Sequence, residues 1–376
     1  MDFSWSPEQK MIKEAAREFL EKECPKSLVK EMMADEVGHL PDVWKKMAEL
    51  GWLGLIFDQQ YGGSAGSYMD LIVLLEEMGR AMLPGPFFSS VVMAGLIIAE
   101  GGSEVLQSHY LPSLCSGNTI LTFALTEQEG SWPCQFIQTM AERQKDSYLL
   151  TGRKMFVTDA HLAQTILVVA RAGNSKGPLI ILACDTRSPG VMRHPLKTIA
   201  GDKQFEVVFD RVRISHDQRI GEEGEGIAIL QRVLPKMITA FCARMVGGME
   251  RIIEVTVQYA KERKQFGVPI GMFQAIQHYC ADMLSHLETA RLLTHQAAWK
   301  SIQNLPCLKE TSMAKAICSE SLKKIVATAH QIHGAIGFTH DHDLHIYSKH
   351  AKGWELMMGN AVEHRSIVAE EMGLQP

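Results

Sequence analysis

The stretch YAKERKQFGVPIGMFQAIQHYCADM, Tyr259 to Met283, holds the end of one long helical pattern and the start of the next. Apolar residues recur at helical spacing from about Ile227 to Arg263, again from about Gly271 to Gln303, and again from about Lys309 to His333, with shorter helices after that. Helices this long pack best against one another, so residues 226–376 are expected to form a four-helix bundle. Upstream the period changes. TILTFALTE, SYLLTGRKMFVTDA, TILVVARAG, PLIILACD and FEVVFDRVRIS are short, rich in β-branched and aromatic residues, and separated by turns. They point to a compact β-barrel-like domain over residues 118–225. Residues 1–117 are helical in pattern. Ser6 is placed to cap a first helix, Pro7 suits its first position, and Gln9 completes a capping box. Further helices are expected around Pro41–Leu50, Ser67–Met82, Phe88–Ala99 and Ser103–Cys115, punctuated by Gly62-Gly63 and by LPGPF. The fold class is therefore α+β: an N-terminal helical domain, a central β domain and a C-terminal helical bundle.

With 376 residues, 46% of them hydrophobic, the chain is long enough for two or three domains with real cores. The formal net charge is −5 and the basic residues are scattered, which argues against a nucleic-acid partner. The polar, amphipathic N-terminus does not read as a signal peptide, and no apolar run approaches the roughly 18 residues of a membrane span. A soluble, cytoplasmic protein is expected. The eight cysteines contain no CxxC pair and sit mostly in apolar patterns, as small core residues do in a reducing compartment.

Four motifs carry a resemblance. Tyr259–Met283 resembles the acyl-CoA dehydrogenase signature YxxxRxxFGxPIxxxQ. HQIHGAIGFTHDHDLHIY resembles that family's QxxGGxGF segment, FALTEQEGSW its TEPxAGS loop, and GRKMFVTDAH its GxKxWIT strand. They occur in the family's order and at its spacing, so the resemblance covers essentially the whole chain. GRKMFVTDAH and GFTHDHDLHIY look most like a bacterial branch found as paired, heteromeric dehydrogenases acting on bulky, branched, cyclic or dicarboxylic acyl-CoAs.

The resemblance implies a cofactor, FAD, and a reaction: α,β-dehydrogenation of an acyl-CoA thioester, with electrons passing to electron-transferring flavoprotein. It also implies a homo- or heterotetramer with a related dehydrogenase subunit. Backbone groups around Leu125 and the Thr126 hydroxyl would bond the flavin edge, and Ser131 would reach the pyrophosphate. Phe156 stands where the family has tryptophan over the flavin face, which keeps an aromatic surface but loses an indole N–H. Thr158 would bond flavin N5. Arg263 would supply a planar cation for the pyrophosphate. Phe266 and Gln274 would meet the adenosine half across a subunit interface. Gln331, Gly334 and Ala335 would form the loop past the neighbour's pyrophosphate, with Ala335 replacing the family's second glycine. The TEQEGSW loop is one residue shorter than the family's and carries Gln128 in place of proline.

Neither position where the family carries its catalytic glutamate has an acid here. Counted from HGAIGF, the family's glutamate falls on Met358, and the alternative position on the first bundle helix falls on Met237. Neither side chain takes a proton. The family holds the thioester carbonyl partly through the backbone N–H of the base residue, and Met358 still has that group. Glu355 lies one turn earlier and is either a substitute base or a solvated surface residue. Arg244 either binds a substrate carboxylate or salt-bridges within the bundle. Met357, Met237 and Ala240 suggest an adaptable apolar lining, or plain bundle core. His333, His340, His342, His345 and His350 cluster in sequence without a standard metal-ligand spacing, and no metal is expected. Three readings stay open. One is an active FAD-dependent dehydrogenase with a displaced or absent base, or with altered chemistry such as elimination or desulfination. The second is a non-catalytic or half-site subunit that completes a partner's FAD pocket. The third is a family fold that has lost flavin.

Overall fold

The computed structural model describes residues 5–128 and 136–374. In chain order the helices α1 (Pro7–Glu23), α2 (Lys26–Ala34), α3 (Pro41–Glu49), α4 (Tyr68–Ala81), α5 (Leu96–Gly101) and α6 (Glu104–Cys115) come first. Strands β1 (Leu121–Ala124), β2 (Met140–Arg143), β3 (Ser147–Thr158), β4 (Thr165–Ala172), β5 (Leu179–Asp185), β6 (Val191–Leu196), β7 (Gln204–Ser215) and β8 (Arg219–Ile220) follow. Then come α7 (Gly226–Glu262), the short strands β9 (Lys264–Gln265) and β10 (Val268–Pro269), and helices α8 (Gln274–Ile302), α9 (Leu308–His333), α10 (Leu344–Leu356) and α11 (Ala361–Glu371).

Internal contacts divide the chain into two compact units. One joins the segment ending at Lys30, the segment Tyr68–Leu83 and the chain from Ile238 onward; the other joins Glu31–Ser67 and Pro84–Met237. α7 is continuous through the division.

In the first unit, α1 opens with the capping box read from the sequence: Ser6 Oγ accepts from Gln9 N and Gln9 Oε1 accepts from Ser6 N. α4 and α7 approach backbone to backbone. A Cβ on Gly79 would strike the Arg244 carbonyl, and one on Gly247 would strike that of Glu76, so both positions require glycine. Buried charges tie the helices. Arg17 grips Glu77 with two hydrogen bonds of 2.9 and 2.8 Å, and His295 Nε2 lies 2.7 Å from Glu76 Oε1.

The second unit is built on one mixed sheet in the order β6-β7-β3-β2-β4-β5-β8, with β1 pairing parallel to β4. β4 and β5 are buried on both faces, which is why TILVVARA and LIILACD read as unbroken apolar runs rather than alternating ones. β3 and β7 pair antiparallel with two register shifts, and the second falls between Lys154 and Val157. Sequence periodicity predicts an ordinary helix over Phe88–Ala99. The structure has a π-helical run, Phe88–Gly95, that leads into α5. The wider turn sets Ser90 Oγ against Leu121 O at 2.7 Å and Ser89 Oγ against Asp159 Oδ2 at 2.6 Å, so the helix is keyed to β1 and to the end of β3.

The expectation that no apolar run approaches membrane length is corrected by α7. An 18-residue window there has a mean hydropathy of 1.3, but 72% of it is buried inside the protein, as in a core helix.

Candidate active site

The second unit presents a strand edge with a displaced residue. The register shift in β3 puts Phe156 at φ 56°, a left-handed angle that a bulky residue avoids, and leaves its ring 56% exposed. Two residues on, the Thr158 hydroxyl is buried and has no partner among the described residues, while its carbonyl accepts from Thr122 Oγ1 at 2.6 Å. An exposed aromatic face next to an orphaned buried hydroxyl fits a flat heteroaromatic ring that carries hydrogen-bonding edge atoms.

The neighbouring loop is latched to the same strand. Met155 N donates to Thr126 O at 2.8 Å. Lys154 is fully buried, and its Nζ donates to Leu125 O at 3.1 Å and to Glu127 Oε1 at 2.7 Å. Glu127 also accepts from Thr139 Oγ1 at 2.7 Å and from the Gln138 N–H at 2.6 Å. Burial raises the Glu127 carboxyl, but the Lys154 ammonium and these hydrogen bonds outweigh it and leave the group below its ordinary range. Lys154 and Glu127 therefore fix Leu125 and Thr126. Sequence reading gave neither of them a role. Ser131, named above for the pyrophosphate, lies outside the described residues.

The first unit carries the other expected cofactor residues, all exposed. Arg263 follows α7 directly. Its backbone bonds Tyr259 O and Ile270 N at 2.8 Å each, and its guanidinium has no partner among the described residues. Phe266 and Gly267, at φ 53° and 83°, form the two-residue loop of the β9–β10 hairpin, and the Phe266 ring is 93% exposed. Gln274 opens α8. Gln331 stands on the last turn of α9, which stops at Gly334, φ 64°, ψ −141°, a conformation open to glycine alone. Ala335 does not share that left-handed angle, so its methyl creates no backbone strain. The histidines nearby pack as rings. His333 stacks on Tyr259 at 4.4 Å, His330 on Phe338 at 4.3 Å, and His342 meets His333 edge-on at 4.6 Å.

The third element is the turn between α10 and α11. Met357 leaves α10 in an extended conformation, and Met358 and Gly359 follow at φ 60° and 91°. Asn360 then caps α11, with Glu363 reaching back in a capping box. Met358 is only 8% exposed. Its carbonyl accepts from His364 Nε2 at 2.8 Å, and its N–H has no acceptor among the described residues. Burial lowers the His364 imidazole to about 4, so it is neutral at physiological pH. A left-handed residue with one peptide group anchored and its N–H left open suits a donor awaiting an oxygen.

Lys315 on α9, also without a role in the sequence reading, is fully buried beneath this turn. Its Nζ lies 2.9 Å from Gly359 O and Ser319 Oγ, and 3.2 Å from Trp354 O and Glu355 O. The only signal in the sequence is its setting among small residues in SMAKAICSES.

The residues named around the expected base position lie in the first unit, except Met237, which lies on α7 at the division. The Glu355 carboxylate is engaged by Lys352 at 2.8 Å, with Lys323 at 3.9 Å. Arg244 donates to Leu83 O at 3.1 Å and lies over the Trp354 ring at 5.2 Å. Met237 is fully buried and Met357 half-buried.

Three family models match in succession: the acyl-CoA dehydrogenase N-terminal domain over residues 6–118, the middle domain over 122–212 and the C-terminal domain over 224–373. The chain belongs to the acyl-CoA dehydrogenase family. It is an oxidoreductase of FAD-dependent type. It is 31% identical to the caffeyl-CoA reductase-Etf complex subunit CarC of Acetobacterium woodii, over 97% of this chain and 98% of that one. Among solved structures it resembles PigA in complex with FAD, with TM-score 0.93, 26% identity and full coverage of both chains (100% each). It also resembles a chain of the ChsE4-ChsE5 complex of Mycobacterium tuberculosis, with TM-score 0.91 and 25% identity over 100% of both chains.

Proposed function

We propose that this chain works in the α,β-dehydrogenation of an acyl-CoA thioester as the subunit that binds flavin and holds a thioester, while a related dehydrogenase chain in a heterotetramer removes the α-proton. The observation that carries this reading is the Met358 turn. Its backbone is built to donate a hydrogen bond, and no acidic side chain stands where the family has one. Glu355 is held by two lysines, so a displaced base there is not favoured. FAD, when bound, supplies the hydride acceptor. The residues of this chain hold that cofactor and the thioester. Phe156 and Thr158 orient the flavin ring, the latched Leu125–Thr126 loop meets its edge, and Arg263, Phe266, Gln274, Gln331, Gly334 and Ala335 offer the surface for the dinucleotide half. The Met358 N–H receives the thioester oxygen.

A bulky, branched, cyclic or dicarboxylic acyl group is the substrate class, on the resemblance of the GRKMFVTDAH and GFTHDHDLHIY segments. The M. tuberculosis complex of two named chains supports a heteromeric assembly, and the A. woodii reductase-Etf complex supports electron-transferring flavoprotein as a partner. The test is co-expression with the related chain, followed by flavin content and anaerobic bleaching by acyl-CoAs. The assembly is expected to bleach and the lone chain is not. Bleaching at equal rates in both would sink the subunit reading.

A further inference from the structure

The last carbonyls of a helix have no partners within it and form the negative end of its dipole. Met358 follows the C-cap residue of α10, Met357. Left alone, the field of those carbonyls would oppose negative charge on any oxygen bound there. Lys315 changes that field. One fully buried ammonium collects Trp354 O, Glu355 O and Gly359 O, from the helix end and from the far side of the turn. Ser319 Oγ, one turn further along α9, gives it a fourth contact. A helix end needs no such device, since a left-handed turn or water satisfies most of them. Burying an ammonium is costly, and here burial lowers it to about 8. A costly buried cation at a candidate site is a mark of function.

We propose that Lys315 is a positioning residue: it clamps the α10–α11 turn so that the Met358 N–H faces the thioester oxygen, and it sets a positive charge behind that turn. His364 holds the following peptide group through the Met358 carbonyl. The proposal rests on the acyl-thioester reading above. It assigns the polarisation of the thioester to a side chain on α9, independent of whether a base is present.

The test uses the protein purified with its flavin. Butyryl-, octanoyl- and phenylpropionyl-CoA are titrated calorimetrically, each paired with the thioether that lacks the carbonyl oxygen. The infrared carbonyl stretch of bound, 13C-labelled thioester is also recorded. In the native protein the thioester should bind more tightly than its thioether, with the stretch shifted to lower wavenumber. In Lys315→Met the thioester should weaken about tenfold, the loss of one well-placed hydrogen bond, with the thioether unchanged and the shift reduced. Equal binding of thioester and thioether with no carbonyl shift in the native protein overturns the positioning role and leaves acyl-CoA binding standing. Binding of neither probe overturns the functional reading and the proposal with it. Where Lys315→Met does not fold, Lys315→Gln is measured in its place: a reduced thioester preference and carbonyl shift support the proposal, and values unchanged from the native protein overturn it.

Discussion

Phe156 and Met358 are both large residues held at left-handed angles, φ 56° and 60°, and the fold uses that strain in opposite ways. Each such residue costs about 1–2 kcal/mol relative to ordinary backbone. At Phe156 a shifted register turns the side chain outward, so the ring is what the protein offers. At Met358 the side chain turns inward and the carbonyl is tied down, so the N–H is what the protein offers. A side chain can be replaced at the second place without losing what the backbone does there. On the proposed reading, a dehydrogenase fold can hold a thioester at this turn without an acidic side chain there.

The comparison breaks most visibly if the acid is put back. Met358→Glu should make the flavin-loaded lone chain bleach with acyl-CoA about 10²- to 10⁴-fold faster than the native chain, the usual contribution of a general base. Anaerobic rapid mixing measures it. An inert Met358→Glu chain that still binds flavin and acyl-CoA would show that the turn no longer faces the α-carbon.

The inward anchoring of Met358 has a pH signature. His364 titrates near 4 in the fold and near 6.5 unfolded, so the unfolded chain takes its proton first. The stability that comes from keeping this imidazole neutral is full above about 6.5 and is lost as the pH falls towards 4, about 3 kcal/mol in all. Urea midpoints at pH 7 and pH 4.5 should therefore draw apart less in His364→Gln than in the native protein. Equal separation would place the acid sensitivity elsewhere.

On the cofactor side the effects are smaller. Arg263→Ala removes an exposed guanidinium with no partner among the described residues, so stability should change by less than about 0.5 kcal/mol. Flavin affinity should fall about tenfold or more, since charge-assisted bonds are the strong ones. Full flavin occupancy in this variant would contradict the cofactor map. Thr158→Val should be the mildest change. The buried hydroxyl has no partner among the described residues to lose, so the fold should be neutral or slightly more stable. FAD titration should show about threefold weaker binding, in line with one neutral hydrogen bond.

Much of this architecture was legible in the sequence because it is periodic or local. Ser6 and Gln9 announced the first helix, the three long apolar runs announced α7, α8 and α9, and the change of period located the strands. The methionine at the position expected for the base comes from aligning the motifs, and it stands as part of the proposal. What the sequence hid is what tertiary context decides. Lys154 and Lys315 look like any surface lysine, and only the fold shows both fully buried, Lys154 on the Leu125 carbonyl and Glu127, Lys315 among three backbone carbonyls. Phe156 and Met358 carry no glycine or asparagine to betray a positive φ. The π-helical run at Phe88–Gly95 has the same apolar pattern as an α-helix, and its Ser89 and Ser90 contacts with Asp159 and Leu121 are made only in the fold. Arg244 read as a substrate clamp or, slightly better, as a salt bridge within the bundle. The structure places it on Leu83 O and the Trp354 ring.

The most direct test of the central claim is the native chain alone, loaded with flavin and mixed anaerobically with a panel of acyl-CoAs while its visible spectrum is followed. The expected result is a shift of the flavin bands on binding with no bleaching. Rapid bleaching by any one acyl-CoA would contradict the account, because it would mean that this chain removes an α-proton without help.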